Sequence, residues 1–403
     1  MNKNIRNLFM LIASSLLPFS CAEKENINLE TENFTSIFDS NSFITEYLPI
    51  DIQQTPDGGY LILAERSLDS TEVTGAYLMK ADKFGNFVQA MELGDTVINP
   101  IGPLNVIDGQ YHFFCMSSSN EDYSQAKLAT IDANLSAITI QNAGGLTYPE
   151  ASSVVDNKLL LLTYNNGDKT SVVSEVTTGG TVTELAAYTV GVGEDSEDPI
   201  IEHHLKEGRQ FPFAVGRTST NTYYYNGFYE YNFSVVFVNP GADDPQGVVQ
   251  GQSDHGGFSS IVPISGNKFA ASRFNFGDNY LLPNTVLDPG DFSTSPDKGG
   301  IFSPELVEDA RVKIHRAIVG TQNILIYGSD TRSKQIGLFY YDEATGTFLG
   351  SRYIGFSNPF QVAAMGNTSD GGIIVCGTTY LAGRFPRICL TKLSKEEIES
   401  DIK

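Results

Sequence analysis

The stretch "TPDGGYLILAERSLDS" runs from Thr55 to Ser70, and "TSDGGIIVCGTTYLAG" runs from Thr368 to Gly383. Each opens on Asp-Gly-Gly, whose residues tolerate the positive φ of a tight turn. Each turn is followed by a short apolar run, Tyr60–Ala64 in the first. Contiguous apolar residues predict a strand buried on both faces, since a strand with one wet face alternates. Working outward from the first turn, "LPIDIQQ" (48–54) pairs back across it, "GAYLMKAD" (75–82) supplies a third strand, "KFGN" (83–86) turns the chain, and "FVQAMEL" (87–93) is a fourth. The later phrase keeps the order: "FQVAAMGNT", then Asp370-Gly371-Gly372, "IIVCGTT" and "RICLTKLS".

Weaker copies lie between. Asp108-Gly109 precedes "QYHFFCM", Asp156-Asn157 precedes "KLLLLTY", and Glu207-Gly208 precedes "RQFPFAVG". Ser265-Gly266 precedes "NKFAASRF", and Gly320 to Asn323 leads into "ILIYGSD". The marks Asp57, Asp108, Asp156, Glu207, Ser265, Gly320 and Asp370 are 48 to 58 residues apart. Seven such copies predict an all-β, seven-bladed β-propeller of four-stranded antiparallel blades. One copy cannot bury both of its faces alone, so neighbours must stack. The last copy lacks an outer strand, because "KEEIESDIK" after it is charged and has no strand character. "NFTSIFDS" (33–40) is expected to fill that place beside 387–393, so that an N-terminal strand closes the ring and removes an open edge.

The phrase T-x-D-G-G-Y-I-I, with "KADKFGN" after it, resembles a repeat of propeller-like exported proteins of Bacteroidota. In those proteins "DGGYIIAG-T" is followed by a K-x-D-x-x-G-N hairpin. The resemblance is specific for the first and last copies and extends to the others by spacing. It implies a fold and export, and carries no catalytic residues.

The first residues fit export. "MNKNIRNLFMLIASSLLPFSC" has a basic start at Lys3 and Arg6, a mostly apolar run from Leu8 to Leu17, and small residues before Cys21. The run is too short to span a bilayer comfortably, which favours a signal peptide. Cys21 after Ser20 resembles the lipobox of bacterial lipoproteins, with Pro18 and Phe19 departing from the strict pattern. The resemblance implies lipidation of Cys21; ordinary secretion with cleavage after Ala22 is the alternative. The expected organisation is a lipoprotein signal peptide at 1–20, a tether at 21–32 and the propeller at 33–403. An outer-membrane anchor, on the surface or periplasmic side, follows from that reading.

The formal net charge is −22, and residues 1–20 contain two cations and no acids. Such a chain repels phosphate backbones, which excludes nucleic acid as an expected partner and leaves the lipid anchor as the only membrane contact. No G-x-S-x-G elbow, H-E-x-x-H or C-x-x-C occurs, and tryptophan is absent, which removes the tryptophan-dependent motifs of known propeller enzymes.

Candidate sites are therefore compositional. In "NTYYYNGFYEYNF" (221–233), Tyr223, Tyr224, Tyr225, Tyr229 and Tyr231 offer stacking faces and hydroxyls to a sugar. The competing reading is a hairpin turning at Asn226-Gly227, with the tyrosines packed between blades. "GEDSEDP" (193–199), "GADDPQG" (241–247) and "DPGDFSTSPDKGG" (288–300) are acidic loops. Asp288, Asp291 and Asp297 of the third suggest a ligand loop, and calcium is the one cofactor these oxygen-rich loops point to; solvated loops are the alternative. His203 and His204 are adjacent and would face opposite sides of a strand, which disfavours a joint metal site. Cys376 and Cys389 fall on neighbouring strands, where a disulfide or two buried thiols are the alternatives. The expected role is a monomeric, non-catalytic binding module that offers one propeller face to a glycan or a protein. A polysaccharide-directed hydrolase or lyase, and an envelope assembly protein, are the alternatives.

Overall fold

The computed structural model describes residues 33–39, 45–68, 71–94, 97–117, 125–380 and 385–402. Cys21, the signal segment and the tether lie outside the described residues.

The opening phrase folds as a turn held by its own side chains. Thr55 N–H donates to Gly59 O (2.8 Å), Gly58 N–H donates to Thr55 O (2.9 Å), and Gly58 takes φ +82°. Asp57 Oδ1 accepts from the Thr55 hydroxyl (2.5 Å) and from Gly59 N–H (3.1 Å), while Asp57 Oδ2 accepts from the Lys80 ammonium (2.6 Å). A Cβ on Gly59 would lie 2.6 Å from Ala81 O, so the second glycine is required by the approach of the third strand. Thr368, Asp370, Gly371 and Lys392 repeat the arrangement. The K-x-D-x-x-G-N hairpin is also self-capped: Asp82 accepts from the N–H groups of Phe84 (2.9 Å) and Asn86 (2.8 Å). Asp132 and Asp342 do the same for Asn134 (2.7 Å) and Thr345 (2.8 Å).

The strands follow in antiparallel meanders. After β1 (Phe34–Ile37) come β2 (Tyr47–Gln54), β3 (Tyr60–Ser67), β4 (Thr74–Ala81) and β5 (Phe87–Glu92). Next are β6 (Val97–Ile107), β7 (Gln110–Ser117), β8 (Gln125–Ile131) and β9 (Ile138–Thr147), bridged to the previous group at Gly75–Ile98. A third group is β10 (Pro149–Val155), β11 (Lys158–Asn165), β12 (Thr170–Val176) and β13 (Val182–Thr189). A helix, Glu194–His203, interrupts the pattern before β14 (Ala214–Arg217), β15 (Tyr223–Tyr229), β16 (Asn232–Phe237) and β17 (Gly247–Gln250). Then come β18 (Gly256–Ser265), β19 (Lys268–Asn275) and β20 (Asp278–Val286). The short β21 (Phe292–Thr294) crosses to the preceding sheet, and β22 (Ile301–Phe302) pairs with β20. The last groups are β23 (Lys313–Val319), β24 (Gln322–Asp330), β25 (Ile336–Asp342) and β26 (Phe348–Ile354), then β27 (Phe360–Asn367), β28 (Ile373–Tyr380) and β29 (Pro386–Leu393). A helix, Lys395–Asp401, ends the described chain.

The missing outer strand of the last group is β1. It pairs antiparallel with β29, Phe34 opposite Lys392 and Ile37 opposite Cys389. The contiguous apolar runs also have their explanation. Tyr60, Ile62 and Ala64 pack with Ile374, Cys376 and Leu390 of the last sheet. Leu61 and Leu63, on the other face, pack with Phe113, Cys115 and Ala129 of the second. Each such aliphatic side chain contributes roughly 1.5–3 kcal/mol by leaving water.

Two expected turns are displaced. Glu207-Gly208 does not lead into a second strand; the corresponding turn is Thr218–Thr222, where Thr218 N–H donates to Thr222 O (2.9 Å) and Asn221 N–H to Thr218 O (3.0 Å). The mark failed because the helix-bearing insertion before it carries a Gly of its own. Nor does the chain turn at Asn226-Gly227. β15 runs straight through, and Glu230 and Tyr231 make the turn with φ 42° and 68°. Asn226 is fully buried, and its amide donates to Pro212 O (2.8 Å) and Phe258 O (2.9 Å), so tertiary partners keep it extended.

Cys376 lies opposite Leu390, and Cys389 opposite Gly377. A one-residue offset places the two thiols on opposite faces of the sheet, and both are free and buried.

Candidate functional site

The first strands of the successive groups, β2, β6, β10, β14, β18, β23 and β27, all contribute to the wall of one cavity of about 560 Å³. Its charged groups gather at one end. In every group the T-x-D-G-G turn or its equivalent joins the first strand to the second. Glu65 lies near the far end of β3, Asp330 ends β24, Glu150 is the second residue of β10, and Lys313 begins β23 with Arg311 just before it. All five sit at the end away from those turns. The same end receives the connection between β13 and β14, which carries the helix Glu194–His203 and lays His203, His204, Phe211 and Phe213 against the cavity.

Burial dominates the electrostatics. It pushes the Glu65 carboxyl up to about 7, against the pull of Arg311. It pushes Asp330 up to about 6, against the Val362 N–H bond (2.7 Å) and the nearby Arg311 and Lys313 charges. Asp51 is raised by burial although Leu104 N–H (2.8 Å) and the Gln53 amide donate to it. Burial and the neighbouring Arg311 charge bring the Lys313 ammonium down to about 8. Glu150 is raised well above the usual carboxylate range by burial, and neither of its oxygens has a partner among the described residues. His204 is brought down to about 4 by burial, and its Nε2 is likewise unpartnered. Burial, with His204 and Arg311 beside it, holds His203 well below the usual imidazole range; its Nδ1 accepts from Phe211 N–H (2.8 Å). Convergent polar groups with displaced pKa values in a concave site mark the default place to look for binding or chemistry.

The sequence-selected residues lie elsewhere. Tyr224 and Tyr225 are buried in the core, Tyr224 edge-on to Phe269 at 5.7 Å and Tyr225 stacked on Tyr188 at 6.5 Å. Tyr223 is half-buried and donates to Glu175 (3.0 Å), and Tyr229 packs edge-on to Tyr188. Only Tyr231 is exposed, at the turn after β15. The tyrosines therefore do not gather into one exposed face. Asp288, Asp291 and Asp297 are exposed on the loop that delivers β21 to the edge of the preceding sheet, parallel to β17. Asp297 accepts from the Thr294 hydroxyl (2.6 Å), Asp288 from Gly290 N–H (3.0 Å), and Asp291 lies 3.9 Å from Lys298. They cap their own loop, and no cluster of three His, Cys, Asp or Glu suited to a metal occurs among the described residues. This loop leaves β20 at the turn end of the sheets, whereas Tyr231 lies at the opposite end of its own sheet. His203 and His204 end a helix rather than lying on a strand. Sequence reading missed Glu65, Arg311, Lys313 and Asp330 because they are scattered over 266 positions without a motif. Only a charged residue next to a buried apolar strand hinted at them.

No protein-family model matches the chain, and no curated protein matches it in sequence. Solved structures do match. A NanB sialidase from Streptococcus pneumoniae aligns over 90% of this chain and 71% of its own, with TM-score 0.50 and 9% identity. The β-propeller domain of the trilobed protease from Pyrococcus furiosus aligns over 87% and 95%, with TM-score 0.41 and 9% identity. An α-L-arabinofuranosidase from Fusarium graminearum, solved with an iminosugar inhibitor, aligns over 88% and 94%, with TM-score 0.45 and 12% identity. At such identities the likeness bears on fold alone: the chain is an all-β protein of the β-propeller type.

Proposed function

We propose that this chain is an exported, lipid-anchored propeller of seven blades, closed by β1, that binds a glycan end in the cavity between its first strands. The binding is non-catalytic. The pairing of β1 with β29 and the packing of the first sheet on the last support the closed ring. The seven first strands that share one cavity wall support the blade count. The observation that carries the function is the cavity itself: about 560 Å³, with cationic, acidic and imidazole groups at one end beside Phe211 and Phe213. A sugar presents hydroxyls to such groups and a C–H face to such rings. The test is a glycan array probed with the labelled full-length chain, repeated with a variant carrying Glu65→Ala and Asp330→Ala. Specific spots that fade in the variant support the reading. A blank array, or spots indifferent to the variant, would sink it.

A second reading is an enzyme acting on polysaccharide. It is favoured by one observation, the two carboxyls Glu65 and Asp330 raised to about 7 and about 6 in one cavity, as a general acid requires. Release of reducing ends from an array-positive glycan would decide for it.

A further inference from the structure

The cavity holds two cationic side chains that no described acceptor takes. Among the described residues, neither the Arg311 nor the Lys313 side chain makes a hydrogen bond or close ion pair. Together they present eight N–H groups, five on the guanidinium and three on the ammonium. Both side chains keep some exposure, Arg311 the more, and both line the cavity. His203 adds another donor. Its Nδ1 already accepts from Phe211 N–H (2.8 Å), so the neutral ring carries its proton on Nε2. Of the carboxyls nearby, Asp51 takes Leu104 N–H (2.8 Å) and Asp330 takes Val362 N–H (2.7 Å), while burial pushes Glu65 and Glu150 toward the neutral acid. Of the two, Lys313 is the less exposed and the costlier to leave without an acceptor.

From this geometry, and resting on the glycan reading above, we infer that the ligand is an acidic saccharide. Its carboxylate is received by Arg311 and Lys313, with His203 Nε2–H as a neutral donor beside them. A guanidinium matches a carboxylate in a planar fork, and a point-like ammonium complements it. Phe213, edge-on to His203 with centroids 4.7 Å apart, gives the sugar ring an apolar neighbour next to its charged end. The acidic exterior of the chain does not oppose this, because inside the cavity burial pushes the Glu65, Glu150 and Asp330 carboxyls toward the neutral acid and leaves the Arg311 and Lys313 charges to act.

Isothermal titration of the full-length chain with glucuronate, glucose and inorganic phosphate tests the assignment. The expected result is that glucuronate binds at least about tenfold more tightly than glucose, one tenfold step being about 1.4 kcal/mol. In Arg311→Gln that preference falls by about tenfold; Arg311→Lys, which keeps the charge, retains part of it. Unchanged thermal unfolding shows that each variant is folded, and Lys313→Gln provides an independent second removal of charge. Equal binding of glucuronate and glucose, unaffected by Arg311→Gln, overturns the acidic assignment and leaves the glycan reading standing. Phosphate binding without glucuronate binding overturns the saccharide carboxylate. Binding of neither sugar overturns both readings.

Discussion

Lys80 Nζ lies 2.6 Å from Asp57 Oδ2, and Lys392 holds Asp370 in the same way at the other end of the chain. The lysines are the buried partners: Lys80 and Lys392 side chains are 5% and 9% exposed, against 55% and 47% for the aspartates. The repeat is thus written around a buried cation that needs an anion at the turn.

Removing one partner of this pair is expected to be asymmetric. Asp57→Ala leaves Lys80 buried with only the Asn134 amide oxygen (2.8 Å) as partner and should cost about 1–3 kcal/mol. Lys80→Met leaves an exposed carboxylate that water can serve and should cost less. Hydrogen bonds from Lys80 and Thr55 hold Asp57 down to about 2, so its contribution is present above pH 4 and is lost as pH falls toward 2. Urea unfolding of both variants at pH 7 and pH 2.5 measures this; equal losses at both pH values would refute it.

The N-terminal strand locks onto the first sheet as well as the last. A Cβ on Gly85, at φ +77°, would lie 2.4 Å from the Phe34 ring and 2.6 Å from Ser36 Oγ. Gly85→Ala therefore meets both backbone strain and a clash, and should cost about 2 kcal/mol or more. Phe34→Ala relieves the clash with the ring, so the double variant should lose less than the sum of the singles. Thermal unfolding of the three proteins decides, and strict additivity would argue against the contact.

Asn226 ties three parts of the chain together, accepting its place in β15 while its amide reaches Pro212 O and Phe258 O. Asn226→Ala should cost about 2–3 kcal/mol, since two buried carbonyls lose their donor. The same change at exposed Asn86, in the turn after β4, should cost well under half of that. Comparable losses at the two sites, read by chemical denaturation, would contradict the assignment.

Glu65 gives the cavity a pH signature. Its folded value of about 7 exceeds the ordinary 4.5, so the folded state binds more protons between those values. Its contribution to stability is therefore fully present below pH 4.5 and is lost as pH rises to 7. His204, held at about 4, acts oppositely: stability rises as pH rises from 4 to 6.5. Glu65→Gln should be more stable than the wild type at pH 8 by about 1–3 kcal/mol and equal to it at pH 4. Melting curves across that range test the sign; a variant less stable at pH 8 would reverse it.

Lipidation is tested directly. Growth with labelled palmitate should tag the chain, and Cys21→Ser should abolish the tag and release the protein from membranes. A tag that survives the substitution would place the anchor elsewhere.

What the sequence determined by itself was the repeat and its consequences. Asp-Gly-Gly after Thr55 and Thr368 specifies a turn through local sterics and an adjacent carboxylate. Contiguous apolar runs after those turns specify strands buried on both faces, because no alternation leaves one face for water. Even the place of β1 was legible, since a sheet edge without a partner must be covered. The tertiary structure alone decided the rest. Asn226-Gly227 has hairpin chemistry, yet carbonyls from two distant segments hold it straight. Cys376 and Cys389 are neighbours by strand order and are separated by a one-residue register. The tyrosine-rich stretch reads either as a binding surface or as packing between blades, and only the fold decides that it is mostly core. The cavity charges Glu65, Arg311, Lys313 and Asp330 carry no local signal, because each is placed by the strand beside it. Their common surroundings exist only once the first strands of the sheets share one cavity wall, where burial, not sequence neighbours, sets their chemistry.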